Sequence, residues 1–115
     1  MFEDLTFGSI KVDGVEYSHD IVIDRGRIRK RKKGPSKEFR DQFGHTPLTT
    51  KEEIPWRCHL LVIGTGMDGR LPVSPDVQRE AKRRHVQLRM LPTTKAIDLL
   101  NGQPSDTNAV LHVTC

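Results

Sequence analysis

The second half of the chain is punctuated as strand, helix, strand, helix, strand, and that order most restricts the folds open to it. His59-Leu60-Leu61-Val62-Ile63 is a short, continuous apolar run, the pattern of a strand covered on both faces. Ser74-Pro75-Asp76 then reads as a helix start, with Ser as N-cap, Pro at the first helical position and an acid in the first turn. The helix is expected to run to about Arg84, where basic residues offset its dipole. Val86 to Leu91 is the next strand. Thr93 or Thr94 is expected to cap a second helix, which carries Ala96, Ile97 and Leu100 on one face and stops at Gly102. Ala109 to Val113 is the last strand. Such alternation argues for an α/β sheet with helical crossovers, right-handed wherever the strands are parallel.

The first half has a different rhythm. Asp13-Gly14 and Asp24-Arg25-Gly26 are turn signals between short runs rich in Ile, Val and Tyr. A β-meander over residues 1–33 is expected, with Ile21-Val22-Ile23 buried on both faces. Residues 34–56 are irregular. A short helix is predicted from Ser36 to Phe43 with Ser36 as N-cap, and another helical turn from Thr50 to Glu53. A chain of 115 residues suffices for one domain, 1–115, with one modest core. Aromatics are only 5% of it, so that core must be built from Ile, Val and Leu.

Charge is concentrated. Of the nine residues from Arg25 to Lys33, seven are basic, and outside them twelve basic residues face fifteen acidic ones. A charged edge strand, protected from aggregation, explains this run. It is favoured over nucleic-acid binding because aromatics for base stacking are missing and Ile28 is the only apolar residue within it. With Lys37 and Arg40 the run also reads as a docking face for a protein. Cys58 and Cys115 do not make a disulfide framework. The N-terminus lacks the apolar core of a signal peptide, and the longest apolar run is far too short for a bilayer, so a cytoplasmic chain with no membrane association is expected.

Gly64-Thr65-Gly66-Met67-Asp68-Gly69 matches G-x-G-x-x-G directly after a strand. In a dinucleotide fold such glycines let the backbone approach a pyrophosphate at a helix N-terminus. Here the capped helix starts only near Ser74, and the second strand ends without the ribose-binding acid, so a plain glycine-rich turn is favoured over a nucleotide cofactor. Loops after strand ends are nonetheless where α/β sheets bind ligands. If the two strands are parallel, Gly64, Thr65 and Gly66 share a rim with Thr93 and Lys95, and the pair would frame a small, anion-tolerant crevice. His45, in the Gly44-His45-Thr46-Pro47 turn, could reach that crevice as an acid or base. The five histidines show no metal-ligand spacing, and no metal or cofactor is expected.

These motifs occur together and in order in one known family. Phe7-Gly8-Ser9-Ile10, His19-Asp20-Ile21-Val22-Ile23, Phe43-Gly44-His45-Thr46-Pro47-Leu48, Leu61-Val62-Ile63-Gly64-Thr65-Gly66, Leu91-Pro92-Thr93 and Leu111-His112-Val113-Thr114-Cys115 carry the likeness. The chain resembles the Mth-nine-three-eight domain family, which includes prokaryotic single-domain proteins, animal adipogenesis-associated proteins and a mitochondrial branch linked to complex I assembly. The resemblance implies a mixed central sheet flanked by helices, an added N-terminal antiparallel β-layer, and a crevice near the Gly-Thr-Gly loop. It implies no enzyme activity. No mitochondrial presequence is seen, so the assembly role is not expected to transfer intact. Residues 102–108 are short and polar where the animal members continue in helix.

The expectation from all this is a binding or assembly module that holds a small anionic ligand or a protein partner in the crevice. An enzyme with His45 as acid or base, and nucleic-acid binding through 25–33, are the alternatives. The exposed β-layer permits a homodimer without requiring one.

Overall fold

The computed structural model describes residues 1–115. β1 (Phe2–Thr6), β2 (Ser9–Val12) and β3 (Val15–Tyr17) form an antiparallel three-stranded sheet. The expected meander over 1–33 ends there. β4 (Ile21–Asp24) and β5 (Arg27–Lys30) leave it as a hairpin and join a second sheet. Burial is the reason: Ile21 and Val22 are adjacent, face opposite sides and are both buried, so their strand needs cover on both faces.

That second sheet is mixed and five-stranded. With β6 (Leu60–Thr65), β7 (Gln87–Leu91) and β8 (Thr107–His112) its order is β5-β4-β8-β6-β7. β6 runs parallel to both β7 and β8, and β4 runs antiparallel to β8. β5, the heart of the basic run, is an edge strand.

Alternation along the central strands divides the core in two. Val22, Leu61, Ile63 and Val110 face one side, where they pack with Leu48, Leu71, Val77 and Ala81. Ile21, Val62, Ala109 and Leu111 face the other, against Ile10 and Val12 of the small sheet and Ala96. Leu61 and Ile63 are fully buried, and burying each side chain of this kind stabilises by roughly 1.5–3 kcal/mol. Helix α2, Pro75–Arg83, covers the first side through Val77 and Ala81, and α3, Thr93–Asn101, covers the second through Ala96.

Local expectations change in residues 34–56 and at α3. Ser36 is not an N-cap. It lies buried inside a 3₁₀ helix, Gly34–Phe39, and only Arg40–Phe43 (α1) is α-helical. Its hydroxyl is committed to Glu52 at 2.6 Å and Thr49 at 2.7 Å. No helix forms over residues 50–53, because Glu52 turns inward to meet a buried arginine. Thr93 does not cap α3 either: Pro92 stands at the N-cap, and the Thr93 hydroxyl reaches across the sheet end.

Candidate functional site: a basic cavity beside the strand ends

Because β6 and β7 are parallel, the loops after them do emerge side by side. The gap between them is filled by the chain itself. Gly66 N–H donates to Thr93 Oγ1 at 2.8 Å, Thr93 N–H donates to Gly66 O at 2.9 Å, and the Thr93 hydroxyl donates onward to His112 O at 2.6 Å. The chain after β8 closes over what remains. Met67 N–H donates to Thr114 O at 2.8 Å, while Asp68 and Arg70 N–H both donate to the Cys115 main-chain oxygen at 3.1 and 3.0 Å. Gly69 and Leu71 N–H are taken by Gly66 O and Thr65 O. No amide from Gly66 to Leu71 remains for a guest.

The glycines of this loop have a packing role. A Cβ on Gly64 would lie 2.8 Å from Thr93 Oγ1. Gly66 has φ +104°, and a Cβ there would lie 2.2 Å from the Cys115 carbonyl carbon. Both positions exclude a side chain because two strand ends and the 112–115 segment converge on them.

Beside the 112–115 segment lies an open cavity of about 300 Å³. Its wall comprises Lys33, Lys37, Arg40, His45, Thr46, Arg70, Leu71, Thr114 and Cys115, with Arg31 and His112 at its base. No carboxylate side chain lines it. Lys33, Lys37, Arg40 and Arg70 have no acidic partner within 4.0 Å. The structure thus places His45 on this wall. It places Gly64, Thr65, Gly66 and Thr93 together in the filled loop junction, and Lys95 outside the cavity on an exposed position of α3.

Beneath the wall sits a buried polar chain. Arg31 is only 4% exposed. Its guanidinium grips Glu52 with two bonds, Nε to Oε1 at 2.8 Å and Nη2 to Oε2 at 2.9 Å. It also donates to Pro47 O at 3.0 Å and to Asp20 Oδ2 at 2.9 Å. Asp20 Oδ2 accepts from His112 Nδ1 at 2.8 Å, Asp20 Oδ1 accepts from Val113 N–H at 2.9 Å, and His112 Nε2 meets Thr114 Oγ1 at 3.0 Å. Burial pushes the Asp20 carboxyl up, but the His112 hydrogen bond and charge, the Val113 N–H and Arg31 outweigh it and bring it down to about 2. Burial also works against the Arg31 charge, yet Glu52 and then Asp20 hold it firmly protonated.

The basic run is dispersed by strand geometry. Arg25 pairs with Asp24, and Arg29 donates to Glu53 O at 2.7 Å. Arg31 is core, and Lys33 is cavity wall. Lys33, Lys37 and Arg40, read from sequence as part of one basic face, are brought to one wall by the 3₁₀–α1 turn. Sequence reasoning missed Arg31, Arg70, Asp20, His112 and Thr114 as site residues. Asp20 and His112 are 92 positions apart, so no spacing signals them. No three His, Cys, Asp or Glu side chains converge to hold a metal ion. No helix is long and apolar enough to cross a membrane.

Residues 2–112 match the family described as "Protein of unknown function (DUF498/DUF598)". A crystal structure of the conserved hypothetical protein PH1505 from Pyrococcus horikoshii OT3 is 30% identical over 100% of this chain and 99% of its own, with a TM-score of 0.84. The protein MT938 is 29% identical over 100% of this chain and 98% of its own, with a TM-score of 0.76. A Bordetella pertussis protein described as a Mth938-like domain shares the fold at a TM-score of 0.62 and 16% identity, over 97% of this chain and 84% of its own. No curated protein sequence matches.

Proposed function

The chain belongs to the DUF498/DUF598 family of unknown function, and we propose that it is a binding module for a small anion carrying at least two negative charges. One observation carries the reading: four cations without acidic partners converge on a cavity that no carboxylate side chain lines. Convergent like charges repel, and a bound polyanion relieves that repulsion. His45 and Thr46 add hydrogen-bonding groups at the rim. A phosphate or carboxylate group, free or on a protein partner, has the chemistry to fill the site, which keeps the assembly role open. The dispersal of the basic run argues against a nucleic-acid track, because only part of it faces any one surface. Two unpaired cysteines support a reducing, cytoplasmic setting.

Calorimetric titration with inorganic phosphate tests the reading. Saturable binding is expected, with a matching rise in melting temperature. Arg70→Glu and Lys37→Glu should each abolish it without loss of fold. A rise reproduced by chloride at equal ionic strength, or binding untouched by either reversal, defeats the reading.

A further inference from the structure

At the base of the cavity three side chains stand in a relay: a buried carboxylate, an imidazole, and the hydroxyl of a residue that lines the cavity. Asp20 accepts from His112 Nδ1. That fixes the neutral ring as the Nδ1–H tautomer and leaves a lone pair on Nε2. The only group on that lone pair is Thr114 Oγ1 at 3.0 Å, so the hydroxyl donates and the imidazole is positioned to take its proton. An oriented base on a hydroxyl is the arrangement that activates a nucleophile.

The surroundings hold the relay still. Val113 N–H and Arg31 also donate to Asp20, and Arg31 is itself locked by Glu52 and Pro47. The main chain of Thr114 is tied to the glycine loop through Met67 N–H. Thr114 is half-buried rather than sealed, and it shares the cavity lining with Arg70 and His45.

We propose that Thr114 is a nucleophile that accepts an acyl group from a small acyl phosphate held in the basic cavity. This rests on the anion-binding reading above. Thr114 Oγ1 attacks the acyl carbon while its proton passes to His112 Nε2. The C–O bond to phosphate breaks, and phosphate leaves with the electron pair, taking the proton from His112. Water then attacks the threonyl ester, giving its proton to His112, which returns it to the departing threonine oxygen. The sum is acyl phosphate plus water giving carboxylic acid plus phosphate. Arg70 and the lysines stabilise the phosphate as it leaves, and the same positive field favours the tetrahedral oxyanion. Asp20 acts through His112 and is a positioning residue.

Acetyl phosphate is the probe, with the full chain. Peptide mass spectrometry should find an acetyl group on Thr114, and phosphate should be released catalytically. Thr114→Ser should retain both. Thr114→Val, nearly isosteric, should lose both. His112→Gln should slow release by about 10²- to 10⁴-fold. Asp20→Asn should slow it as well and shift the His112 ring-nitrogen NMR signals to the Nε2–H tautomer, a change that a purely structural Asp20 would not couple to rate. Acetylation confined to lysines or Cys115, or an adduct on Thr114 that forms equally fast in His112→Gln, overturns the proposal. Phosphate binding without acetyl-Thr114 removes this inference and leaves the binding reading intact. Absence of phosphate binding overturns both.

Discussion

Two polar regions flank the segment 112–115, and they differ in how they use their charge and hydrogen bonds. The Gly64–Gly69 loop carries the most suggestive pattern in the sequence, yet every amide from Gly66 to Leu71 is bonded within the chain. The cavity beyond carries no motif, yet four of its cations have no acidic partner. A glycine pattern reports that backbone can come close to something. It does not report whether that something is a ligand or another stretch of the same chain. Here it is Thr93, His112 and Cys115.

The largest expected effect tests the floor that separates paired from unpaired charge. Glu52→Ala would strand the Arg31 guanidinium in an environment where it is 4% exposed. Removing one partner of a buried ion pair costs about 3–5 kcal/mol. Urea denaturation should show that loss. A cost below about 1 kcal/mol would mean that Arg31 escapes to the cavity and joins the free cations, erasing the distinction. Next in size is Gly66→Ala. Its Cβ would meet the Cys115 carbonyl carbon at 2.2 Å in a left-handed backbone, and roughly 2–4 kcal/mol should be lost on thermal unfolding. A mild effect would show that the 112–115 segment lifts easily, returning the loop amides to a guest.

Asp20 gives a smaller effect, confined to acid. Its carboxyl is held at about 2 in the fold against 3.8 unfolded, so the folded state favours the ionised form. That contribution is complete above about pH 4 and is lost as pH falls through about 2. It amounts to about 2 kcal/mol. Acid titration of stability should therefore be shallower in Asp20→Asn than in the parent chain below pH 4. Parallel curves would place the relay's stabilisation elsewhere. Glu80 offers the contrast: Arg83 and Arg84 also hold it at about 2, but both arginines are exposed, and such surface pairs contribute little to folding.

The sequence made the architecture legible wherever periodicity and burial coincide. The strand–helix alternation after residue 57, the Ser74-Pro75 helix start and the edge position of the basic run all follow from local chemistry, and the structure contains each of them. It was misleading where a polar side chain had two uses. Ser36 and Thr93 have the chemistry of caps, and both are instead drawn to buried partners distant in sequence. The N-terminal meander was overextended because turn signals do not say which sheet the next hairpin joins. The cavity was half visible. Lys33, Lys37 and Arg40 are neighbours in sequence, whereas Arg70, Asp20 and His112 arrive by tertiary packing alone.

The effect on binding rather than folding separates the two regions most sharply, because it concerns two lysines that a sequence reader would treat alike. Lys95 follows the Leu91-Pro92-Thr93 turn and sits on an exposed position in the first turn of α3, outside the cavity. Lys37 sits in the 3₁₀ helix and lines it. A charge-assisted hydrogen bond to an anion is worth about 1.5–3 kcal/mol, so Lys37→Ala should weaken phosphate binding by about tenfold or more. Lys95→Ala should leave it within about twofold, since an exposed charge beyond the first contact shell is screened by salt. Calorimetric titration of both variants side by side reads the difference. Equal losses would mean that the anion spans both rims and that the filled loop junction opens when ligand arrives. A loss for Lys37 alone would leave the glycine loop as the clamp on residues 112–115, and its part in binding would be to hold His112, Thr114 and Cys115 against the cavity.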